Sequence, residues 1–235
     1  VYDSMIPTML EIMHSDAISD GSGTAATIAA AVRDAILRGD LRSGEQLRQD
    51  KIATDYGVSK IPVREALHRL EADGLVTFYA NRGAFVSELT ADEAREISLI
   101  RVAMETVALR HAIPNLADEH FERAERIIAA TDDEVDPFRW SELNWSFHAN
   151  LYRPAGLPRL QRMRRTLYNN VARYFVIYQA VNYSGKSQQE HREILDACHR
   201  GRANLACILL ENHLKDAADV LVANLEEMHV EGSVA

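Results

Sequence analysis

The stretch from Leu47 to Gly83, LRQDKIATDYGVSKIPVREALHRLEADGLVTFYANRG, constrains the fold of this chain more than any other part. Apolar residues line one face of a short helix, and they recur at helical spacing after Gly57-Val58-Ser59. Gly57 can adopt the left-handed conformation that ends a helix, and Ser59 can cap the next one. The spacing predicts a helix-turn-helix with these inward-facing residues: Leu47, Ile52, Ala53, Tyr56, Val63, Ala66, Leu67 and Leu70.

A small β-hairpin is predicted directly after these helices. Gly74 stops the second helix, and Leu75 to Phe78 has the composition of a strand. Asn81-Arg82-Gly83 is a hairpin turn signal, because Asn and Gly tolerate positive φ. A further helix over Thr24 to Arg38 precedes the pair, so residues 24–89 are predicted to form a winged helix-turn-helix.

A second region, almost purely helical in its periodicity, begins at Thr90. Thr90-Ala91-Asp92-Glu93 has the sequence of a capping box. Short loops predict a compact all-α bundle of six to seven helices over residues 90–228, so the fold class is mainly α. We expect an N-terminal arm (1–23, with a flexible linker at its end) and a frayed tail (229–235) to flank the two domains. The arm is either mobile or packed on a partner subunit. The candidate helices are Ala91–Ile113, Ala117–Thr131, Pro137–Leu151, Leu157–Tyr183, Lys186–Arg200 and Arg202–Met228.

Composition restricts the cellular compartments and the binding partners that we expect for this chain. The formal net charge of the 235 residues is −9, so contact with nucleic acid requires a local basic patch. Cys198 and Cys207 make no disulfide framework, which fits a reducing cytoplasm. No apolar run approaches the roughly 20 residues of a membrane span, and the N-terminus lacks the pattern of a signal peptide. We expect a soluble, cytoplasmic protein without a membrane partner.

The second helix of the helix-turn-helix has the residues of a DNA-reading helix at its start. Lys60 and Arg64 lie four residues apart and share a face, and Arg64 can form a forked pair with guanine. The alternative is that these are ordinary solvated charges. Nearby acidic residues dilute the patch, so we expect dimerisation on two half-sites. The predicted contacts are Arg48, Ser59, Lys60, Pro62, Arg64, Arg82 and Gly83.

The block GVSKIPVREALHRLEADGLV resembles the signature of GntR-type transcriptional regulators, and the resemblance extends over residues 24–89. In that family, the positions that match Ser59, Lys60, Pro62, Arg64 and Gly83 lie at the DNA. Lys60 departs from the usual arginine. A lysine retains a phosphate contact, but it does not make a bidentate one.

Several histidines of the second region have the spacing of a possible metal site. Asn144 and His148 lie four residues apart and project from one helix face, while His191 and His213 belong to two other helices. Three imidazoles and one oxygen could converge on a cation inside a bundle. Spacing alone leaves open the alternative that they are surface or hydrogen-bonded core histidines.

This second region resembles the FCD ligand-binding domain of the FadR-like branch of GntR regulators. The resemblance rests on Arg101-Val102-Ala103-Met104-Glu105, on NWSFH and on EHREIL, followed by His213. It implies a buried divalent transition metal, with zinc the first choice and nickel, manganese or iron as alternatives, and a small carboxylate effector beside it. Arg101 is the candidate for binding that carboxylate, and an intrahelical pair with Glu105 is its alternative role. The implied ligands are Asn144, His148, His191 and His213.

Asn144 departs from the aspartate of many FCD domains, so its ligand set would be one negative charge poorer. The resulting hypothesis is a homodimeric, effector-responsive transcriptional regulator, most often a repressor in this family, rather than an enzyme. One alternative is a metal-dependent hydrolase, but the chain lacks HExxH, and Trp145 stands where a Glu-x-x-His motif ending at His148 needs glutamate. The other is a helical interaction domain without a small ligand.

Overall fold

The computed structural model describes residues 21–172, 174 and 183–232. These residues form two compact units, with the division between Glu88 and Leu89. Most of the predicted arm lies outside the described residues, and so do residues 173 and 175–182 of the helix predicted over Leu157–Tyr183. Tyr174 and Tyr183 are described and are not helical, so the predicted helix is too long. The first helix begins at Gly21, so the last three residues of the predicted arm, placed in a flexible linker, are helical instead.

The first unit has three helices and a three-stranded sheet. The helix-turn-helix is formed by α2 and α3. Leu47 lies in strand β1, whereas the sequence predicts a helical position for it. Leu47 is 4% exposed, and the sheet buries it as fully as a helix would have done. The elements are α1 (Gly21–Arg38), β1 (Gln46–Leu47), α2 (Gln49–Asp55), α3 (Lys60–Ala72), β2 (Val76–Tyr79) and β3 (Gly83–Val86).

The turn between α2 and α3 depends on Gly57, whose φ is +62°. The Val58 amide donates to the Ala53 carbonyl (3.0 Å) and closes the end of α2. Ser59 occupies the N-cap position of α3 with an extended backbone, but its side chain makes no capping hydrogen bond within this described turn. The predicted cap is therefore wrong in its chemistry although right in its position.

The wing is an antiparallel hairpin of β2 and β3, and β1 pairs with the other edge of β3. Val76 pairs with Val86, and Tyr79 pairs with Gly83 at the end of the hairpin. Asn81 has a φ of +60° and Gly83 a φ of +92°, as the turn signal predicts. The apolar core beneath includes Ile28, Val32, Ile36, Ile52, Tyr56, Val63, Leu67, Leu70, Leu75 and Val86.

The second unit is helical. Its first helix begins with the predicted capping box: the Glu93 amide donates to the Thr90 hydroxyl (3.2 Å), and the Thr90 amide donates to the Glu93 carboxylate (2.9 Å). The last helix runs to Gly232, four residues beyond its predicted end and into the predicted tail. The helices are α4 (Ala91–Ala112), α5 (Asp118–Asp132), α6 (Pro137–Tyr152), α7 (Pro158–Ala172), α8 (Ser184–His199) and α9 (Ala203–Gly232).

Helices α4 and α9 pack along each other, α8 packs on α9, and α5 packs on α6. The apolar core includes Leu109, Ile128, Phe147, Leu151, Ile194, Leu210 and Leu214. Helix α6 lies deep in this bundle, since it buries Asn144, His148 and Asn150 together with its apolar residues. The mainly helical fold with a small wing sheet confirms the predicted fold class.

Candidate metal centre and DNA-reading surface

Three histidines from three helices meet in the interior of the helical unit. His148 of α6, His191 of α8 and His213 of α9 are 1%, 1% and 3% exposed. Their candidate ligand atoms all lie within 4.8 Å of one another. The ring centroids are 5.0 Å apart for His148 and His191, 5.2 Å for His148 and His213, and 4.7 Å for His191 and His213. A single small cation can therefore contact all three rings.

Hydrogen bonds fix the proton positions on two of these rings. Nδ1 of His213 lies 2.8 Å from Oε2 of Glu190, and a carboxylate only accepts, so Nδ1 carries the hydrogen. Nδ1 of His191 lies 2.7 Å from Oε1 of Gln188. The Gln188 amide nitrogen donates to the Ile128 carbonyl (3.1 Å), which orients the amide oxygen toward the ring. In the neutral form of both rings, Nε2 is left with a lone pair for a metal.

The third histidine and the asparagine complete a set of buried donor atoms. Nδ1 of His148 lies 3.1 Å from the Tyr152 hydroxyl. Nε2 of His148, Nε2 of His191 and Oδ1 of Asn144 are buried and have no hydrogen-bond partner among the described residues. Buried polar atoms normally have a hydrogen-bond partner, so each of these three atoms needs an explanation. Two imidazole nitrogens and an amide oxygen are suitable ligands for zinc and its neighbours, so the residues fit such an ion.

Burial favours the neutral form of two of these rings, His148 and His191, and the neutral form is the one that binds metals. Burial lowers the pKa of His148 well below its usual value, and repulsion from His191 and His213 lowers it further. Burial likewise lowers the pKa of His191, with a further contribution from His213. A metal therefore does not have to displace a proton from either ring at neutral pH.

A charged cluster lies in the same bundle. The Arg101 guanidinium donates through Nε to Oε1 of the fully buried Glu105 (2.7 Å), which is the intrahelical pair that the sequence left as an alternative. Arg164 of α7 is 1% exposed, and its Nη1 lies 3.9 Å from the other Glu105 oxygen. Within the described part of the chain, neither Nη atom of Arg164 has a hydrogen-bond partner, and its guanidinium lies 3.6 Å from the centre of the Trp145 ring.

Sequence reasoning missed Arg164. Helix α7 contains several arginines, and its periodicity does not distinguish the buried one from those in solvent. Burial lowers the pKa of Arg164, whereas the Glu105 carboxylate opposes that change. Arg101, a partner of the same carboxylate, lines a cavity of about 10 Å³ between α4, α7 and α9, which is space for roughly one water molecule. The interior beside Arg101 is thus closely packed.

The first unit presents the predicted DNA contacts on one helix-turn-helix. Arg48, Ser59, Lys60 and Arg64 are exposed around the N-terminal ends of α2 and α3. Pro62 lies in the first turn of α3, where no intrahelical hydrogen bond is lost. Lys60 forms an exposed ion pair with Asp50, so part of the local positive charge is neutralised.

The tip of the wing carries Arg82, another of the predicted DNA contacts. The Arg82 guanidinium lies over the Tyr79 and Phe85 rings, 5.4 Å and 5.2 Å from their centroids. The Gln46 side-chain amide donates to the Arg82 carbonyl (2.8 Å) and ties the tip to strand β1. A Cβ at Gly83 would meet only Gln46 among the described residues, at 3.9 Å, so the glycine is required for its backbone conformation rather than for space.

The structure also identifies an exposed apolar residue that the sequence reasoning passed over. Ile61 is 71% exposed in the first turn of α3, between Lys60 and Pro62. An aliphatic side chain at this end of a reading helix can contact a thymine methyl group. His68 is exposed further along α3, stacked on Phe78 with ring centroids 4.4 Å apart.

Comparison with known proteins assigns both units. Residues 24–86 match the family of bacterial regulatory proteins named gntR, and residues 96–216, about half of the chain, match the FCD domain. The chain belongs to the GntR family. Its members and its relatives are transcriptional regulators rather than enzymes, so the hydrolase alternative is not favoured.

Individual relatives extend over most of this GntR-family chain. It is 30% identical over 201 residues to the probable D-xylose utilization operon transcriptional repressor of Paenarthrobacter nicotinovorans, which covers 81% of this chain and 87% of that protein. It is 28% identical over 203 residues to the HTH-type transcriptional regulator BphR of Paraburkholderia xenovorans, with 81% and 82% covered.

Solved structures of GntR regulators have the same fold. A regulator from Rhodococcus sp. RHA1 is 28% identical, with a TM-score of 0.70 over 85% of this chain and 98% of that one. Escherichia coli McbR is 19% identical, with a TM-score of 0.72 over 88% and 98%, which supports the fold alone.

Within the described part of this GntR-family protein, no helix has the combined length and apolar character needed to cross a bilayer.

Proposed function

We propose that this GntR-family regulator is a cytoplasmic, homodimeric repressor whose DNA binding depends on a metal and on a small carboxylate bound in its helical domain. The observation that carries the proposal is the group of buried donor atoms. Nε2 of His148, Nε2 of His191 and Oδ1 of Asn144 have no partner among the described residues, although the three histidine rings converge. Leaving a buried acceptor unsatisfied costs about 1–3 kcal/mol, and a cation at this point would remove that cost.

The proposed ligands are Asn144, His148, His191 and His213. Three nitrogen donors and one oxygen donor suit zinc best, with nickel, manganese and iron as alternatives. All four ligands are neutral, so the ion would keep its double positive charge. When bound, the metal supplies a cationic contact for an anion inside the bundle.

The proposed effector is an anion because the cluster beside this centre contains two guanidinium groups. Two guanidinium groups, Arg101 and Arg164, form ion pairs with the carboxylate of Glu105. A carboxylate ligand can form two parallel hydrogen bonds with a guanidinium, and both Nη atoms of Arg164 lack such bonds to the described residues. We therefore add Arg164 to Arg101 as an effector contact. Because the cavity at Arg101 holds only about one water, effector binding requires the surrounding helices to adjust.

The proposed output domain comprises residues 24–89, and the proposed sensor comprises residues 90–228. Reading the major groove with one short helix of modest positive charge supports a homodimer on two half-sites. The effector would act by binding two arrangements of the dimer with different affinities, since a ligand with equal affinities shifts nothing. A repressor of bacterial genes must reach the chromosome, so the proposed location is the cytoplasm.

The proposed DNA contacts are Arg48, Ser59, Lys60, Pro62, Arg64, Arg82 and Gly83.

Elemental analysis of protein purified without chelator tests the metal. We expect about one ion per chain in the wild type, and none in His148→Ala combined with His213→Ala. The matched control replaces two exposed histidines, His68 and His111, and should keep the ion. An absence of metal from the wild type, or equal contents in both double variants, would contradict the proposal.

Footprinting on DNA upstream of the regulator's own operon tests the output. Protection of two half-sites should appear with the metal-loaded protein and should change when the matching carboxylic acid is added. Arg64→Ala should weaken protection while the helical content stays unchanged. Protection that no acid alters, across a panel of metabolic carboxylates, would contradict the effector role.

A further inference from the structure

The partners of the three histidines are not equivalent. Nδ1 of His148 contacts a tyrosine hydroxyl and Nδ1 of His191 contacts an amide oxygen, and both of these groups are neutral. Nδ1 of His213 instead contacts the carboxylate of Glu190 at 2.8 Å. A carboxylate behind a metal-binding imidazole raises the basicity of that ring as a ligand. His213 is thus the ligand with a charged outer partner.

This asymmetry is relevant because the proposed ligand set has no charge of its own. Asn144 offers an amide oxygen, and the three imidazoles are neutral. We propose that Glu190 supplies, from behind His213, the negative charge that Asn144 does not supply at the metal. This inference rests on the proposed metal site and deepens it.

Other contacts hold the Glu190 carboxylate in this position. The Tyr183 hydroxyl donates to its Oε2 at 3.3 Å, and the Lys186 ammonium lies 3.6 Å from its Oε1. Lys186 also pairs with Asp216, so the lysine charge is shared between two carboxylates. These two carboxylates and the lysine together have a net negative charge. Glu190 is 17% exposed, so its carboxylate lies at the edge of the core.

A carboxylate behind His213, in place of one at position 144, lets the site hold the metal tightly and still attract an anionic effector. A carboxylate ligand in the place of Asn144 would hold the metal more tightly, but it would also cancel part of the charge that attracts an anionic effector. A carboxylate behind His213 strengthens one ligand and stays on the far side of the ring. The metal is thereby retained with most of its positive field directed into the bundle.

Zinc affinity, measured by competition with a chromophoric chelator, tests this assignment on the full-length protein. Glu190→Gln keeps the shape of the side chain and removes its charge, and we expect zinc to bind about 10- to 100-fold more weakly. The matched control is Glu193→Gln, which removes an exposed charge from the same helix, where it accepts a hydrogen bond from Gln189. That variant should bind zinc as the wild type does.

A second variant, Asn144→Asp, adds a negative charge at the metal and tests the inference even if Glu190→Gln folds poorly. Asn144→Asp should tighten zinc binding, and in the Glu190→Gln background it should recover most of the lost affinity. Circular dichroism of the metal-free proteins checks the fold. Equal zinc affinities of the Glu190→Gln and Glu193→Gln variants, or no gain from Asn144→Asp, would overturn the inference. A wild type that binds no zinc would instead overturn the proposed function.

Discussion

Stripping the metal and lowering the pH should destabilise the helical domain, because two of its histidines are buried in neutral form. Burial holds the folded-state pKa values of His148 and His191 well below the value of about 6.5 that they have in an unfolded chain. Between these pKa values the unfolded state binds more protons than the folded state. Stability is therefore complete above about pH 6.5 and is lost as the pH falls below it.

The size of the effect follows from the number of buried rings. Each histidine contributes up to about 1.4 kcal/mol per pH unit, so the two together contribute roughly 2.7 kcal/mol per unit within this window. The total stability of a domain is only about 5–15 kcal/mol, so a loss at this rate shifts its unfolding midpoint substantially.

Tryptophan fluorescence provides the assay. Both tryptophans of the chain, Trp140 and Trp145, lie in α6, so their emission reports on the helical unit alone. Urea unfolding with chelator present should give a free energy of unfolding that falls with pH as stated. In His148→Gln combined with His191→Gln, the slope should be shallower by about 2.7 kcal/mol per pH unit. Replacing the exposed His68 and His111 is the control. The reasoning would be refuted if the first double variant kept the wild-type slope.

Three further predictions concern the DNA-binding domain. Arg64→Ala should weaken operator binding by about 1–3 kcal/mol in a titration, while Arg126→Ala, an exposed substitution in α5, should leave it unchanged. Ile61→Ala should make binding insensitive to replacing thymine with uracil, whereas the wild type should lose roughly fourfold in affinity, from about 0.8 kcal/mol per methyl, at the contacted base. Equal uracil effects in both proteins would exclude the contact. Gly83→Ala should lower stability by about 1 kcal/mol or more in thermal unfolding, because φ is +92°. Gly185→Ala, in a helix with open space around the new methyl group, is its control.

The family and the fold class were predictable from the sequence because they depend on local signals. Periodic apolar residues, the capping box at Thr90 and the Asn81-Arg82-Gly83 turn each specify a short piece of backbone without reference to the rest of the chain. Two local predictions, for Leu47 and Ser59, were wrong because contacts with the rest of the domain decided the conformation. Leu47 entered a strand because pairing with β3 was available, and Ser59 took the N-cap position without its hydrogen bond.

The candidate ligands could be named from the order of motifs, but their convergence depends on how α6, α8 and α9 pack. Spacing along the chain cannot reveal which ring nitrogen has a partner, and so Tyr152, Gln188 and Glu190 were not anticipated. Arg164 was missed for the same reason, since one arginine among several in α7 is distinguished only by burial. The sequence by itself determined the backbone elements and the side chains available to the site. The tertiary structure decided which of them are desolvated together, and burial changes the cost of a charge or an unpaired lone pair by kilocalories.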